Sequence, residues 1–124
     1  RDSIDSASRS IGGCPLASAV SLTSFVRGRP LDALYVRKEV KDHGSKKLVE
    51  GDKSVTAGTR VALLEDVITT GGSSLKAVEK LRAIGAVVVG IVALVDRLEG
   101  GAEAIRDAGL PLVAICTRRD FMPD

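Results

Sequence analysis

An α/β fold, a parallel sheet flanked by helices, is what this sequence predicts, on three observations. Apolar runs of strand length alternate with stretches of helical period. Those runs are continuous rather than alternating, as in strands covered on both faces. Hydrophobic residues make up 44% of the chain and aromatics 2%, so the core must be built from Val, Leu, Ile and Ala. With 124 residues and neither a linker nor an internal repeat, residues 1–124 read as one domain with a modest core.

The elements follow in order. Arg1–Ser10, RDSIDSASRS, is polar and Ser-rich, and reads as a frayed end or weak edge strand. Pro15–Val26 suits a helix with Pro15 in its first turn, stopped by Gly28 and Pro30. Leu31–Val36 reads as a strand. Arg37–Ser54 is charged and nearly devoid of apolar residues, which predicts a mobile loop, either a functional lid or disorder. Arg60–Leu64 is the next strand. Over Ser73–Ile84, Leu75, Val78, Leu81 and Ile84 recur every third residue while Lys76, Glu79 and Lys80 fall elsewhere, an amphipathic helix that Gly85 ends. Val87–Val95 reads as a central strand, Gly101–Ala108 as a short helix stopped by Gly109, and Leu112–Cys116 as a last strand. Strand–helix alternation of this kind implies right-handed crossovers.

A formal net charge of +2 is too small to argue for nucleic acid or an anionic membrane, and no apolar run approaches membrane-spanning length. No secretory signal opens the chain. Cys14 and Cys116 lack metal-ligand spacing, and two buried free thiols in a reducing cytoplasm are expected.

The chemistry concentrates in two segments. In Val61–Ser74, VALLEDVITTGGSS, an apolar strand runs into Glu65 and Asp66, then through Thr69, Thr70, Gly71 and Gly72 into a helix. The acids are expected at the carboxyl edge of the sheet, where open α/β folds bind ligands. The glycines let backbone N–H groups approach an anion, and the helix start favours negative charge. Acids beside a phosphate cradle make sense for a ligand carrying both hydroxyls and a phosphate, such as a ribose 5-phosphate. The order of a dinucleotide fingerprint is absent, and no Lys follows Gly72 as a P-loop requires. The plainer alternative is a strand–turn–helix with a polar turn.

In Tyr35–Gly51, YVRKEVKDHGSKKLVEG, the cationic groups Arg37, Lys38, Lys41 and His43 leave a strand for the charged loop. Such a cluster can meet negative charge growing on a departing pyrophosphate. His43 could also move a proton near neutral pH. Closure of the loop would exclude water from the reacting sugar. The alternative is a solvated charged loop with a surface His.

The first segment resembles the phosphoribosyl-pyrophosphate (PRPP) motif of type I phosphoribosyltransferases. RKEVKDHG followed by KLVEG resembles the catalytic loop of the orotate phosphoribosyltransferases, and IGGCPLASA at Ile11–Ala19 resembles their pyrophosphate loop. The resemblance runs from about Ile11 to Phe121. It implies a type I phosphoribosyltransferase-like, Rossmann-like core in the cytoplasm. It also implies transfer of ribose 5-phosphate from PRPP to orotate, with Mg2+ required and no metal cage of the protein's own. Lys38 would contact PRPP in its own subunit, while Arg37, Lys41 and His43 reach across a homodimer to the partner's site. Glu65 and Asp66 would hold the ribose hydroxyls, and Val67, Ile68, Thr69, Thr70, Gly71, Gly72 and Ser73 would wrap the 5-phosphate. Thr69 and Arg97 would meet orotate, Arg97 as a fork of donors for a planar anion. The alternative for Arg97 is a surface ion pair with Glu99 or Asp96. Lys41, His43 and Asp66 are the expected catalytic residues. The chain departs from the family in a polar segment, IDSASRS, ahead of Gly12 and in lacking the amino-terminal hood, which points to a fragment or a shortened form. A PRPP-binding regulatory domain without catalysis is the competing reading.

Overall fold

Main-chain pairing rather than hydrophobicity decides what lies in the middle of this sheet. The computed structural model describes residues 4–9, 19–31, 33–36, 49–50 and 57–122. Strand β1 (Ile4–Arg9) is followed by helix α1 (helical over the described residues 19–26), β2 (Ala33–Val36) and β3 (Val49–Glu50). Then come β4 (Arg60–Ile68), α2 (Gly72–Ala83), β5 (Val87–Asp96), α3 (Gly101–Asp107) and β6 (Leu112–Thr117). A short 3-10 turn over Arg118–Asp120 follows, capped by Thr117.

The strands form one six-stranded sheet in the order β3-β2-β1-β4-β5-β6. All neighbours are parallel except β3, which pairs antiparallel to β2 through Tyr35–Glu50 and Val36–Val49. The predicted parallel α/β sheet is therefore present with one antiparallel edge.

Several sequence expectations need correction. Ile4–Arg9 is no edge strand: it pairs on one side with β2 and on the other with β4. A ladder uses backbone N–H and C=O groups, which Ser, Asp and Ala supply as well as Val does, so a polar sequence can still occupy the interior of a sheet. The Arg37–Ser54 stretch is interrupted by β3, since Val49–Glu50 finds a partner in β2; the remainder of that stretch lies outside the described residues, as do Pro15 and Cys14. Cys116 is half-buried rather than buried.

The aliphatic core gathers Val36 of β2, Val61 and Leu63 of β4, Val78 and Leu81 of α2, Ile91 of β5, Ile105 of α3 and Leu112 of β6. Helix α2 presents Ser74, Ala77, Val78 and Leu81 to the interior, with Leu75 and Ile84 packed partly buried beside them. Its end is a Schellman motif: Gly85, at φ +93°, donates to the Arg82 carbonyl and Ala86 donates to that of Leu81. The ends of α1 at Gly28 and α3 at Gly109 have the same pair of bonds. Leu22, Phe25 and Val26 of α1 are exposed. Among the described residues no helix is long and apolar enough to cross a membrane.

Leu81 is fully buried where α2 meets the sheet. Leu81→Ala is expected to lower the unfolding free energy by about 2–5 kcal/mol, the range for a truncated core Leu. Urea titration should show an earlier midpoint with an unchanged slope.

Candidate active site

Strand order places a crevice in the middle of the sheet. Chain leaving β1 moves toward β2, whereas chain leaving β4 moves toward β5, so the connections diverge between β1 and β4. Such a switch point, at the carboxyl ends of the strands, is where open α/β sheets take ligands. The pairing of β1 with β4 ends at Ser8–Leu64, while β4 continues beside β5 as far as Ile68–Asp96. Glu65 to Ile68 thus overhang the crevice. The strand was expected to stop at Leu64; it continues because β5 extends far enough to pair with it.

Neighbouring residues on a strand point to opposite faces, so the two acids do not stand side by side. Glu65 is 4% exposed, and its Oε2 accepts a 2.8 Å hydrogen bond from Oγ of Ser74, itself 2% exposed in the first turn of α2. Asp66 is half-buried and so reachable from solvent. A buried carboxylate is tolerable when hydrogen-bonded, which makes Ser74 a fixed support for Glu65.

The loop between β4 and α2 begins at Ile68, which is buried, and passes through half-buried Thr69 and exposed Thr70 to Gly71. Gly71 is the N-cap of α2 at φ +88°, and its carbonyl accepts from the Leu75 N–H at 3.0 Å. No side chain caps this helix and its first turn holds no acid. Its opening N–H groups have no intrahelical acceptor and carry the positive end of the helix dipole. Gly72 and Ser73 are exposed there. The arrangement can seat an anion such as a phosphate dianion.

A residue whose role the sequence reading missed locks this loop. A Cβ on Gly101 would lie 2.5 Å from Cγ2 of Ile68, 2.5 Å from the Thr69 carbonyl oxygen and 3.0 Å from the Gly71 nitrogen. Reciprocally, a Cβ on Gly71 would meet the Gly101 carbonyl oxygen at 3.0 Å. Backbone lies directly on backbone. Gly101 N–H donates to the Thr69 carbonyl and Arg97 N–H to that of Ile68, both at 3.0 Å. The available signal was the Gly100–Gly101 pair opening α3, of which Gly101 was read only as a helix start. Ser74 was also missed, being small and polar on a face judged by its aliphatics.

At the end of β5, Asp96 is 6% exposed and its Oδ1 accepts from the Leu98 N–H at 2.9 Å. Arg97 stands between them, with Nε 3.0 Å from Oε2 of Glu99 in a half-exposed ion pair. The ion pair weighed from the sequence is thus formed with Glu99, beside the loop. Arg37, Lys38, Lys41 and His43 lie outside the described residues. Among those described, no group of three or more His, Cys, Asp or Glu residues could hold a metal ion.

This topology, with an acidic strand end and a glycine-locked loop feeding a helix, defines an open α/β sheet protein with an anion seat at its switch point. The phosphoribosyl transferase domain model matches residues 11–108, and the chain belongs to that family. Orotate phosphoribosyltransferase of Sorangium cellulosum (strain So ce56) is 81% identical over 92% of this chain and 59% of its own length. The orotate phosphoribosyltransferase of Bradyrhizobium sp. (strain BTAi1 / ATCC BAA-1182) is 46% identical over 90% of this chain and 62% of its own. The crystal structure of Mycobacterium tuberculosis H37Rv orotate phosphoribosyltransferase in complex with PRPP superposes with a TM-score of 0.80 at 37% identity, covering 96% of this chain and 65% of that one. An adenine phosphoribosyltransferase of Thermoanaerobacter pseudethanolicus, at 18% identity and TM-score 0.72, shares the fold. The chain spans about three fifths of the length of the curated relatives it matches.

Two glycine substitutions separate crowding from strain. Gly100, unlike Gly101, has positive φ, +91°, but an added Cβ there meets nothing within 4 Å. Gly100→Ala should cost about 1–2 kcal/mol of backbone strain and leave phosphate affinity unchanged. Gly101→Ala should push the loop off its seat and abolish that affinity. Thermal unfolding and calorimetric titration with inorganic phosphate check the pair.

Proposed function

We propose that the protein this chain belongs to is an orotate phosphoribosyltransferase, transferring ribose 5-phosphate from PRPP to orotate in pyrimidine nucleotide synthesis in the cytoplasm. The observation that carries the reading is the glycine-locked loop after β4, with Asp66 at the switch point, in a chain 81% identical over 92% of its length to a relative of that name. The loop from Thr69 to Ser73 and the start of α2 hold the 5-phosphate through backbone N–H groups. Asp66, the reachable acid, accepts hydrogen bonds from the ribose hydroxyls. Glu65, buried and bonded by the Ser74 hydroxyl, stands behind it at the same strand end. Arg97 presents its guanidinium to the orotate carboxylate from the end of β5.

Substitution takes place at C1 of the ribose, where a ring nitrogen of orotate forms a bond as the bond to pyrophosphate breaks. Positioning and charge stabilisation are the protein's contribution. Lys38 meets PRPP within the subunit, and Arg37, Lys41 and His43 receive the pyrophosphate of the neighbouring site, His43 as a proton donor. A magnesium ion fits the donors present, because that metal keeps several waters and binds largely through substrate phosphates, so that Glu65 and Asp66 would act on it through water. When bound it supplies charge neutralisation on the pyrophosphate. A homodimer follows from the shared-site role of the Arg37–His43 loop, and the exposed Leu22, Phe25 and Val26 of α1 are apolar surface available for association.

The direct test follows orotate absorbance with PRPP and magnesium, using the chain together with any sequence encoded ahead of Arg1. Turnover supports the reading; PRPP binding without turnover would replace it with a regulatory PRPP-binding domain. Within an active enzyme, Lys41→Ala should lower kcat about a hundredfold or more, the scale for losing one donor to a developing charge, while Gly71→Val weakens PRPP binding. A Lys41→Ala enzyme with normal kcat and a raised KM would make the loop a tether rather than a leaving-group clamp. Mixing Asp66→Ala with Lys41→Ala chains should restore activity above either alone, because one site of the hybrid is intact.

A further inference from the structure

Leu98 has φ +61° and is the sole non-glycine residue with positive φ among those described. A β-carbon makes this conformation unfavourable, so something must hold it. The 2.9 Å bond from Leu98 N–H to Oδ1 of Asp96 does so, closing an Asx turn of the kind in which a carboxylate replaces a backbone acceptor. Asp96 is buried at the end of β5, in register with Ile68 of β4 and Thr117 of β6, so its backbone is held by strands on both sides. Arg97 lies inside the turn, its N–H bonded to the Ile68 carbonyl where the phosphate loop begins and its Nε paired with Glu99.

We propose that Asp96 is a positioning residue for base recognition: its carboxylate fixes the left-handed turn at Leu98 and thereby aims Arg97 at the base while taking no part in holding PRPP. The proposal rests on the reading that Arg97 meets orotate. Strain concentrated in a substrate-side turn, and held by a buried side chain, is a recurrent form of preorganisation. The bond requires a side-chain acceptor two residues before Leu98, not a negative charge as such, which gives the variants opposite outcomes.

The test compares Asp96→Ala, Asp96→Asn and the double variant Asp96→Ala/Leu98→Gly in the enzyme with any sequence encoded ahead of Arg1. Asp96→Ala should raise the KM for orotate about tenfold, the loss of one well-aimed charge-assisted contact, with kcat and the KM for PRPP held within about twofold on the same scale. Asp96→Asn keeps the acceptor and should stay close to the parent enzyme. Leu98→Gly in the Asp96→Ala background should restore orotate KM, because glycine adopts positive φ without the carboxylate. Equal impairment of Asp96→Asn and Asp96→Ala would overturn the proposal by showing that the charge itself is used. So would a fall in kcat with orotate KM unchanged, or a double variant that stays impaired. Backbone chemical shifts of Leu98 supply a readout that needs no turnover: they should leave the left-handed range in Asp96→Ala alone, and retention there would sink the idea. Should Asp96→Ala not fold, Asp96→Ser, a weaker acceptor, must fall between Asn and loss of binding. A parent enzyme that binds PRPP but ignores orotate would refute the functional reading instead, and the chemical shifts would still decide the role of Asp96.

Discussion

The geometry of the phosphate loop depends on Gly101 having no side chain. The approach of α3 to the end of β4 is so close that Ile68, the Thr69 carbonyl and the Gly71 nitrogen occupy the space a Cβ would need. Two backbone hydrogen bonds run through the contact, Gly101 to Thr69 and Arg97 to Ile68. Each is worth only about 0.5–1.5 kcal/mol net, so they align the segments rather than force them together. Exclusion does the rest: with β4 and β5 paired to Ile68–Asp96, the loop has nowhere to relax except outward, over the start of α2. The phosphate seat and the turn carrying Arg97 are consequently one hydrogen-bonded body, although thirty or so residues of chain separate them, a span that only a tertiary contact can bridge.

What the sequence could reveal follows from which interactions are local. The helix from Ser73 to Ile84 was legible because its period, its flanking charges and Gly85 all lie within one window, and α2 spans Gly72–Ala83 with Gly85 in the Schellman position. The strand interiors were legible as aliphatic runs. Ile4–Arg9 was not, because its place between β2 and β4 is set by partners far along the chain and its own residues give no apolar signal. The length of β4 was misjudged for the same reason, since only β5 makes Glu65 to Ile68 strand. Val49–Glu50 is too short to carry a period at all. In the site, the acids, threonines and Gly71 were visible as a motif, whereas Gly101 and Ser74 matter only through contacts that cross between elements. The cationic stretch Arg37–His43 was readable as chemistry, and its place in space lies outside the described residues.

Three carboxylates near a proposed anion site invite the question of how they coexist with a phosphate. Glu65 and Asp96 are buried and engaged, the first by the Ser74 hydroxyl and the second by the Leu98 N–H. Their oxygens serve as fixed acceptors that set the shape of the loop and the turn. Asp66 alone of the three is open to solvent contact. On the proposed reading it faces hydroxyl donors of the sugar, while the phosphate sits beyond it at the N–H groups of α2. Like charges are thereby separated along the length of the ligand.

Beside the phosphate loop, Arg97 is already paired with Glu99. A floor lined with permanent cations would grip PRPP equally before and during bond cleavage, which lowers KM without accelerating the reaction. On the proposed reading, carrying Arg37, Lys38, Lys41 and His43 on a separate stretch of chain would let positive charge be matched to the departing pyrophosphate instead. Neutral backbone donors then suffice for the 5-phosphate, whose charge does not change during transfer. On that reading the glycine-locked half of the site would bind what stays constant, and the charged segment would meet what develops. That partition requires the loop to keep its shape, and the Gly71–Gly101 contact leaves no room there for a side chain that would displace it.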